Sequence, residues 1–287
     1  HNQPASPATA SADVAALDAL RRFADVEITE NGAKCSLNVP PEHRETLANL
    51  TVLLKQVKCT DLDLYAESVS DVSPLAGLRG LTALSLHVKS KSDLSPLAEL
   101  SELTKLSLEG TIVSDVSPLA GLSRLTTLDL SDTQVSDLSP LAGLSGLTNL
   151  NLEGTKVSDL SPLAALRGLT ELWLQYTSVS DLSPLAGLRG LTKLSLGGTK
   201  VSDLSPLAGL TNLATLDLTE TQVGDLSPLA GLSKLTWVGF YKTRVSDLSP
   251  LAGISGLNLE QMVLAELKRH GELEITEDGV KFSYSVS

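Results

Sequence analysis

The sequence predicts an α/β solenoid with a parallel sheet on its concave face, short 3-10 turns on its convex face and a helix–hairpin cap at each end. Three observations predict it. An Asp recurs at 71, 93, 115, 137, 159, 181, 203, 225 and 247, always 22 residues apart. Around it the chain repeats a phrase close to L-T-x-L-x-L-x-x-T-x-V-S-D-L-S-P-L-A-G-L. Outside that array, LRRFADVEITENGAKCSLNV (20–39) and LKRHGELEITEDGVKFSYSV (267–286) align with each other without a gap, at an offset of 247. A fixed period of this kind marks stacked repeats, and a repeat stack needs capped ends.

Residues 147–168, LTNLNLEGTKVSDLSPLAALRG, are one full copy. Leu-x-Leu alternation has the period of a strand buried on one face. Leu147, Leu150 and Leu152 therefore point inward, and Asn149, Asn151 and Glu153 outward. Thr155 follows, then Val157 as a further core residue. In Ser161-Pro162-Leu163-Ala164 the serine suits an N-cap and the proline the first helical position. About five residues then remain before the next strand, room for one tight turn of 3-10 type. One copy cannot bury its own apolar face, whereas stacked copies share a core with strands about 4.8 Å apart.

These residues resemble the leucine-rich-repeat superfamily, in its bacterial internalin-type class of 22-residue repeats. The resemblance covers residues 59–257, about 70% of the chain. It departs from the class at Thr111, Thr133, Thr155, Thr177, Thr199, Thr221 and Thr243, which stand where the class usually carries Asn. A hydroxyl also bonds turn backbone, so a ladder of the same kind with shorter reach is expected. The resemblance implies a bacterial source and a non-enzymatic recognition or adhesion domain, secreted or surface-exposed, that binds a protein on its concave face. The alternative is a cytoplasmic sensor or regulatory repeat domain of a larger signalling protein.

The expected organisation has four parts. Residues 1–12, HNQPASPATASA, read as a flexible leader, and His1 in place of Met implies a cut N-terminus. An N-terminal cap of helix, hairpin and helix spans 13–58. The repeat array spans 59–257, and a cap of helix and hairpin spans 258–287. The cap helices fall at about 13–24 and 260–270. Asn31-Gly32 and Asp278-Gly279 are strong hairpin-turn signals. A second helix within 41–58 carries Leu47, Leu50, Leu53 and Leu54. The other reading of a hairpin is that it joins the sheet of another molecule. Cys35 and Cys59 sit at apolar positions of this region and are either separate buried thiols or a disulfide.

The formal net charge of −12 argues against a nucleic-acid partner and against docking on an anionic membrane. No apolar run approaches the roughly 18 residues that span a bilayer. Nine of the 34 acids form the Asp column, and the remaining 25 nearly balance 22 bases. A like-charged column persists if each carboxylate accepts backbone N–H bonds in its turn; a calcium column is the other reading. His1, His43, His87 and His270 show no metal-ligand spacing, and the two cysteines form no Cys-x-x-Cys. No phosphate-binding glycine loop is present, so neither a cofactor nor a metal is expected. Asp61 and Asp63 share a strand face beside His87 and Tyr65, a solvated edge or a weak cation site.

Outward strand positions vary from copy to copy while core positions barely change. One outward column runs Asp63, Ser85, Ser107, Asp129, Asn151, Trp173, Ser195, Asp217, Gly239. The next runs Tyr65, His87, Glu109, Ser131, Glu153, Gln175, Gly197, Thr219, Tyr241. Leu172 and Leu174 hold the core positions, so Trp173 faces out and Tyr176 lies beside the same face. Trp237, Tyr241 and Tyr65 are displayed similarly. Trp and Tyr dominate protein interfaces because they give large rigid contacts at low entropy cost. A protein-binding site is therefore expected around Trp173 and Tyr176, with Asn151, Gln175, Glu153, Glu171 and Lys193 about them and Gly197-Gly198 leaving a shallow space. Trp237, Tyr241, Tyr65 and His87 extend it. In HVKSKSD (87–93), Lys89 replaces Thr and Lys91 the core Val, which predicts a bulge at 88–92. The chain is expected to be a monomer.

Overall fold

Three-residue strands recur here because each copy sets one inward Leu between two outward residues before its turn begins, as Leu150 between Asn149 and Asn151. The computed structural model describes residues 15–16, 18–19, 21, 24–30, 32–39, 46–66, 69, 71–89, 93–257, 274–276 and 279–281. The expected leader, the helix at 260–270, Asn31, Asp278 and Lys91 with the centre of its bulge lie outside them. The chain forms two compact units, 1–147 and 148–287.

In the first unit, β1 (Ala24–Thr29) and β2 (Gly32–Asn38) form an antiparallel hairpin, Thr29 opposite Gly32. α1 (Thr46–Gln56) then crosses to β3 (Cys59–Tyr65), which runs parallel to β2 with a bulge at Ala33/Lys34. Leu47, Leu50 and Leu54 of α1 are buried, and Leu53 is half-buried. β4 (Ala83–His87), β5 (Lys105–Ser107) and β6 (Thr127–Asp129) follow in parallel. Their register aligns Asp63, Ser85, Ser107 and Asp129. 3-10 turns at Ser73–Gly77, Ser95–Glu99, Ser117–Gly121 and Ser139–Leu141 return the chain.

The second unit repeats the coil with β7 (Asn149–Asn151), β8 (Glu171–Trp173), β9 (Lys193–Ser195), β10 (Thr215–Asp217) and β11 (Trp237–Gly239). All are parallel and in register. Turns at Ser161–Leu163, Ser183–Leu185, Ser205–Leu207, Ser227–Leu229 and Ser249–Leu251 alternate with them. A separate antiparallel hairpin pairs β12 (Glu274–Thr276) with β13 (Gly279–Lys281). The architecture is a leucine-rich-repeat solenoid. Its core is columns of Leu and Val with essentially no solvent exposure, such as Leu150, Leu172, Leu194 and Leu216. Each buried Leu contributes about 1.5–3 kcal/mol, which is why nearly every coil repeats it.

The Asp column answers how like charges coexist at this spacing. In every coil the Asp Oδ1 accepts the N–H of the serine two residues on, at 2.9 Å for Asp71, Asp93 and Asp115. The distance is 2.8 Å for Asp137, Asp159, Asp181, Asp203, Asp225 and Asp247. This corrects the serine N-cap reading. Leu160 precedes the turn without a side-chain cap, and Ser161 is the first turn residue. Its N–H is already taken by Asp159. Bonds from the serine hydroxyl, foremost at Asp71, Asp93, Asp159, Asp181 and Asp225, hold the carboxyl below its ordinary value. The serine N–H is the foremost cause at Asp115, Asp203 and Asp247.

The threonine hydroxyls bond turn backbone as expected, but each within its own coil. Thr155, Thr177, Thr199 and Thr221 are buried, but each hydroxyl donates to the carbonyl three residues back in its own coil, at 2.6–2.7 Å. The bonds between coils come from another column. Thr82, Thr104 and Thr126 donate to the carbonyls of Thr60, Thr82 and Thr104, at 3.0, 2.9 and 3.0 Å. In the second unit Thr170, Thr192 and Thr236 do the same toward Thr148, Thr170 and Ala214. Each such carbonyl also receives the backbone N–H of the same threonine or its counterpart, at 2.8 Å.

Cys35 and Cys59 are free and buried. Their thiols share a hydrogen bond, which draws Cys35 down and, with burial, pushes Cys59 far up. Cys59 also donates to the Asp61 carbonyl at 3.4 Å.

Candidate functional site

The outward face of the second unit is set by the turn that ends each strand. The main-chain ladder runs on past the strand: Gly154, Tyr176, Gly198 and Glu220 donate N–H to Gln175, Gly197, Thr219 and Tyr241 at 2.7–2.9 Å. To make those bonds and still turn into the core, the chain adopts a left-handed conformation at one position per coil. Glycine supplies it at Gly154 (φ 67) and Gly198 (φ 69), and at Gly110 (φ 66) in the first unit. Asp132 (φ 55) in the first unit and Tyr176 (φ 55), Glu220 (φ 61) and Lys242 (φ 52) in the second adopt it with full side chains. A left-handed non-glycine residue costs about 1–2 kcal/mol, and a bulky one is a genuine outlier.

Leu172 and Leu174 are fully buried, and Trp173 between them faces outward and is half-buried. It pairs across the sheet with Asn151 and Ser195. Tyr176 is 65% exposed. A Cβ on Gly198 would meet the Tyr176 Cδ1 at 2.6 Å and Cε1 at 2.8 Å. The tyrosine ring therefore already occupies the expected shallow space at Gly198, because only a glycine lets it lie flat there. At Gly197 a Cβ would approach Asp217 Oδ2 at 3.3 Å and Gln175 Cγ at 3.6 Å, so that side is also lined. Glu171 and Lys193 form an ion pair at 3.2 Å. The Glu153 N–H donates to Asn151 Oδ1 at 3.0 Å. Gln175 Oε1 is buried without a hydrogen-bond partner.

Further along, Trp237 is 36% exposed and folds over its own strand, since a Cβ on Gly239 would lie 2.6 Å from its Cη2. Lys242 lies over the Tyr241 ring at 5.2 Å and pairs with Glu220 at 2.8 Å. The Glu220 carboxylate holds that ammonium above its usual range. Glu220 and Lys242 were not expected as site residues. The available signal was that they break the column in which Gly110, Gly154 and Gly198 stand.

Tyr65 and His87 lie in the first unit. Their rings stack at 4.3 Å and 6°, with Tyr65 43% exposed. His87 Nε2 is 3.4 Å from Asp63 Oδ1 without hydrogen-bond geometry. Among the described residues no group of three or more His, Cys, Asp or Glu is placed to hold a metal ion. Among them, no helix is long and apolar enough to cross a membrane.

A family model for leucine-rich repeats in two copies matches residues 101–143 and 189–231. Among solved structures, an internalin (inlF) from Listeria monocytogenes aligns with a TM-score of 0.65 and 33% identity, over 71% of this chain and 61% of its own. Internalin C2 of the same species aligns with a TM-score of 0.59 and 35% identity, over 63% of this chain and 81% of its own. A leucine-rich-repeat protein of Leptospira interrogans shares the fold at 18% identity and a TM-score of 0.57, over 71% of this chain and 67% of its own. No curated protein sequence matches. The chain spans 61% of the length of the first of these relatives.

Proposed function

From the premise that the chain belongs to the internalin-type leucine-rich-repeat family, we propose that it is a secreted or surface-exposed bacterial adhesion domain. It binds a protein on the outward strand face centred on Trp173 and Tyr176. The family and fold make it a protein-recognition module. The placement of the site rests on one observation: Tyr176 is 65% exposed in a left-handed conformation that neighbouring coils give to glycine. Strain of this kind persists where something other than stability selects the residue. Trp173 adds a rigid, half-buried indole beside it, and the Glu171–Lys193 pair and Asn151 supply a polar border.

Two variants test this. Trp173→Ala/Tyr176→Ala should weaken capture of the protein partner, isolated with the intact chain, by roughly 30-fold, the loss of about 2 kcal/mol expected of an aromatic anchor. Tyr176→Gly should raise stability by about 0.5–1 kcal/mol by relieving the left-handed strain and still bind weakly. Unchanged affinity in the double variant overturns the site. Protease treatment of intact cells of the source organism, followed by blotting, tests surface exposure.

A further inference from the structure

We propose that a cavity between the end of α1 and the first 3-10 turn is an anion site that takes a phosphate or sulfate monoester group. The cavity is about 230 Å³ and is lined by Lys55, Lys58, Thr60, Gly77, Arg79 and Gly80, among others, with no carboxylate. In a chain with 34 acids and 22 bases, three cationic residues from two separate elements line it.

Each lysine is placed by a specific backbone feature. Lys58 sits in the left-handed region at φ 53. Its N–H donates to the Lys55 carbonyl at 3.1 Å, and its own carbonyl accepts Ala33 N–H at 3.1 Å. A helix ends this way most cheaply on glycine, so a lysine there is held at a cost. The Lys55 side chain crosses to the opposite wall, where a Cβ on Gly77 would lie 2.7 Å from its Cε. The next coil carries Glu99 at the position equivalent to Gly77. Glycine here thus admits the ammonium. Gly80 leaves open space, with nothing within 4 Å of a notional Cβ.

The two lysines offset the negative end of the α1 dipole, and Arg79 adds a third cationic residue to the lining. Arg79 bonds Glu99 at 2.8 Å through one nitrogen and remains 73% exposed. Its fork carries five donors, so others stay available. Among the described residues neither Lys55 nor Lys58 has an ion-pair partner. The cavity lies below the ~300–1,000 Å³ of pockets for larger ligands, which suits one compact group. Two lysines and an arginine that offers several donors on one wall of residues suit a compact, multiply charged oxyanion.

The test is a calorimetric and amide-shift titration of the whole chain at fixed ionic strength, with inorganic phosphate in one arm and N-acetylglucosamine 6-sulfate in the other. Saturable binding is expected in at least one arm, with shifts at Arg79 and Gly80. Saturation by phosphate alone assigns a phosphate source; saturation by the sulfated sugar assigns a sulfated glycan. Lys55→Ala/Lys58→Ala should weaken binding by about 10–100-fold per charge-assisted bond lost. Gly77→Glu should abolish it while leaving thermal unfolding unchanged, because only a flexible ammonium must give way. Absence of saturation in both arms, or equal affinity in the lysine double variant, overturns the site.

Discussion

Two sides of the same coil obey the same 22-residue period and behave in opposite ways. On the turn side, Asp159, Asp181, Asp203 and Asp225 repeat one bond at one distance, 2.8 Å to the following serine N–H. On the strand side, Gly154, Tyr176, Gly198 and Glu220 repeat one backbone conformation and share no side-chain chemistry. A polar group that closes a turn must keep its type and spacing, because its bond fixes the local backbone. A side chain beyond the ladder closes nothing, so it is free to serve a partner, even where its backbone would prefer glycine.

The sharpest way to test that contrast is to cut adjacent residues. Leu172→Ala should cost about 2–5 kcal/mol in denaturant unfolding, as a cavity in a close-packed core. Trp173→Ala, one residue on, should change stability far less; equal losses would put Trp173 in the core. Gly198→Ala comes next, at about 1–2 kcal/mol, because it forces an L-residue into φ 69 and displaces the Tyr176 ring. Quenching by an added solute should report a more exposed Tyr176 in that variant. A smaller effect of opposite sign is expected at Ala214, the one break among the threonines that bond between coils in the second unit. Its N–H bonds the Thr192 carbonyl at 2.8 Å, but it has no hydroxyl to join it. Ala214→Thr should stabilise by about 0.5–1.5 kcal/mol, read from the urea midpoint.

Smallest per group is the response of the Asp column to acid. These carboxyls titrate below the ordinary aspartate value of 3.8 in the folded chain. Their contribution is therefore present above that value and lost as pH falls through the lower, folded-state values. Stability should decline as pH drops below about 4. Asp181→Asn/Asp203→Asn should flatten the decline, and an unaltered slope would mean that the column adds nothing. All these groups are exposed, so solvent screening keeps each effect modest.

Much of this was legible because the period fixes which residues share a column. The burial of Leu172 and Leu174, the outward turn of Trp173 and the backbone bonds of the Asp column all follow from it. The choice between threonine columns was not legible. Thr155 and Thr170 both recur at 22, and only local backbone angles decide whether a hydroxyl reaches its own coil or the next. Tyr176 lying on Gly198 was also hidden, since two neighbouring glycines read as empty space until a ring from the preceding coil is seen to fill it. Ser-Pro is a helix-start signal and suggests a serine cap, yet the turn begins at the serine itself, whose own N–H is held by the Asp two residues earlier.

The threonine bonds between coils carry one more consequence. Thr82 and Thr104 each give to a residue 22 positions back and receive from one 22 positions ahead. A gene duplication or deletion of 22 codons inside such a run leaves every backbone donor with the same kind of acceptor, whereas a change of 21 or 23 turns Leu columns outward. Recombination can therefore lengthen, shorten or shuffle the array in whole coils while keeping every column in register. What it would rearrange is the order of the displayed side chains, so new surfaces are reached by cutting and splicing rather than by point substitution alone.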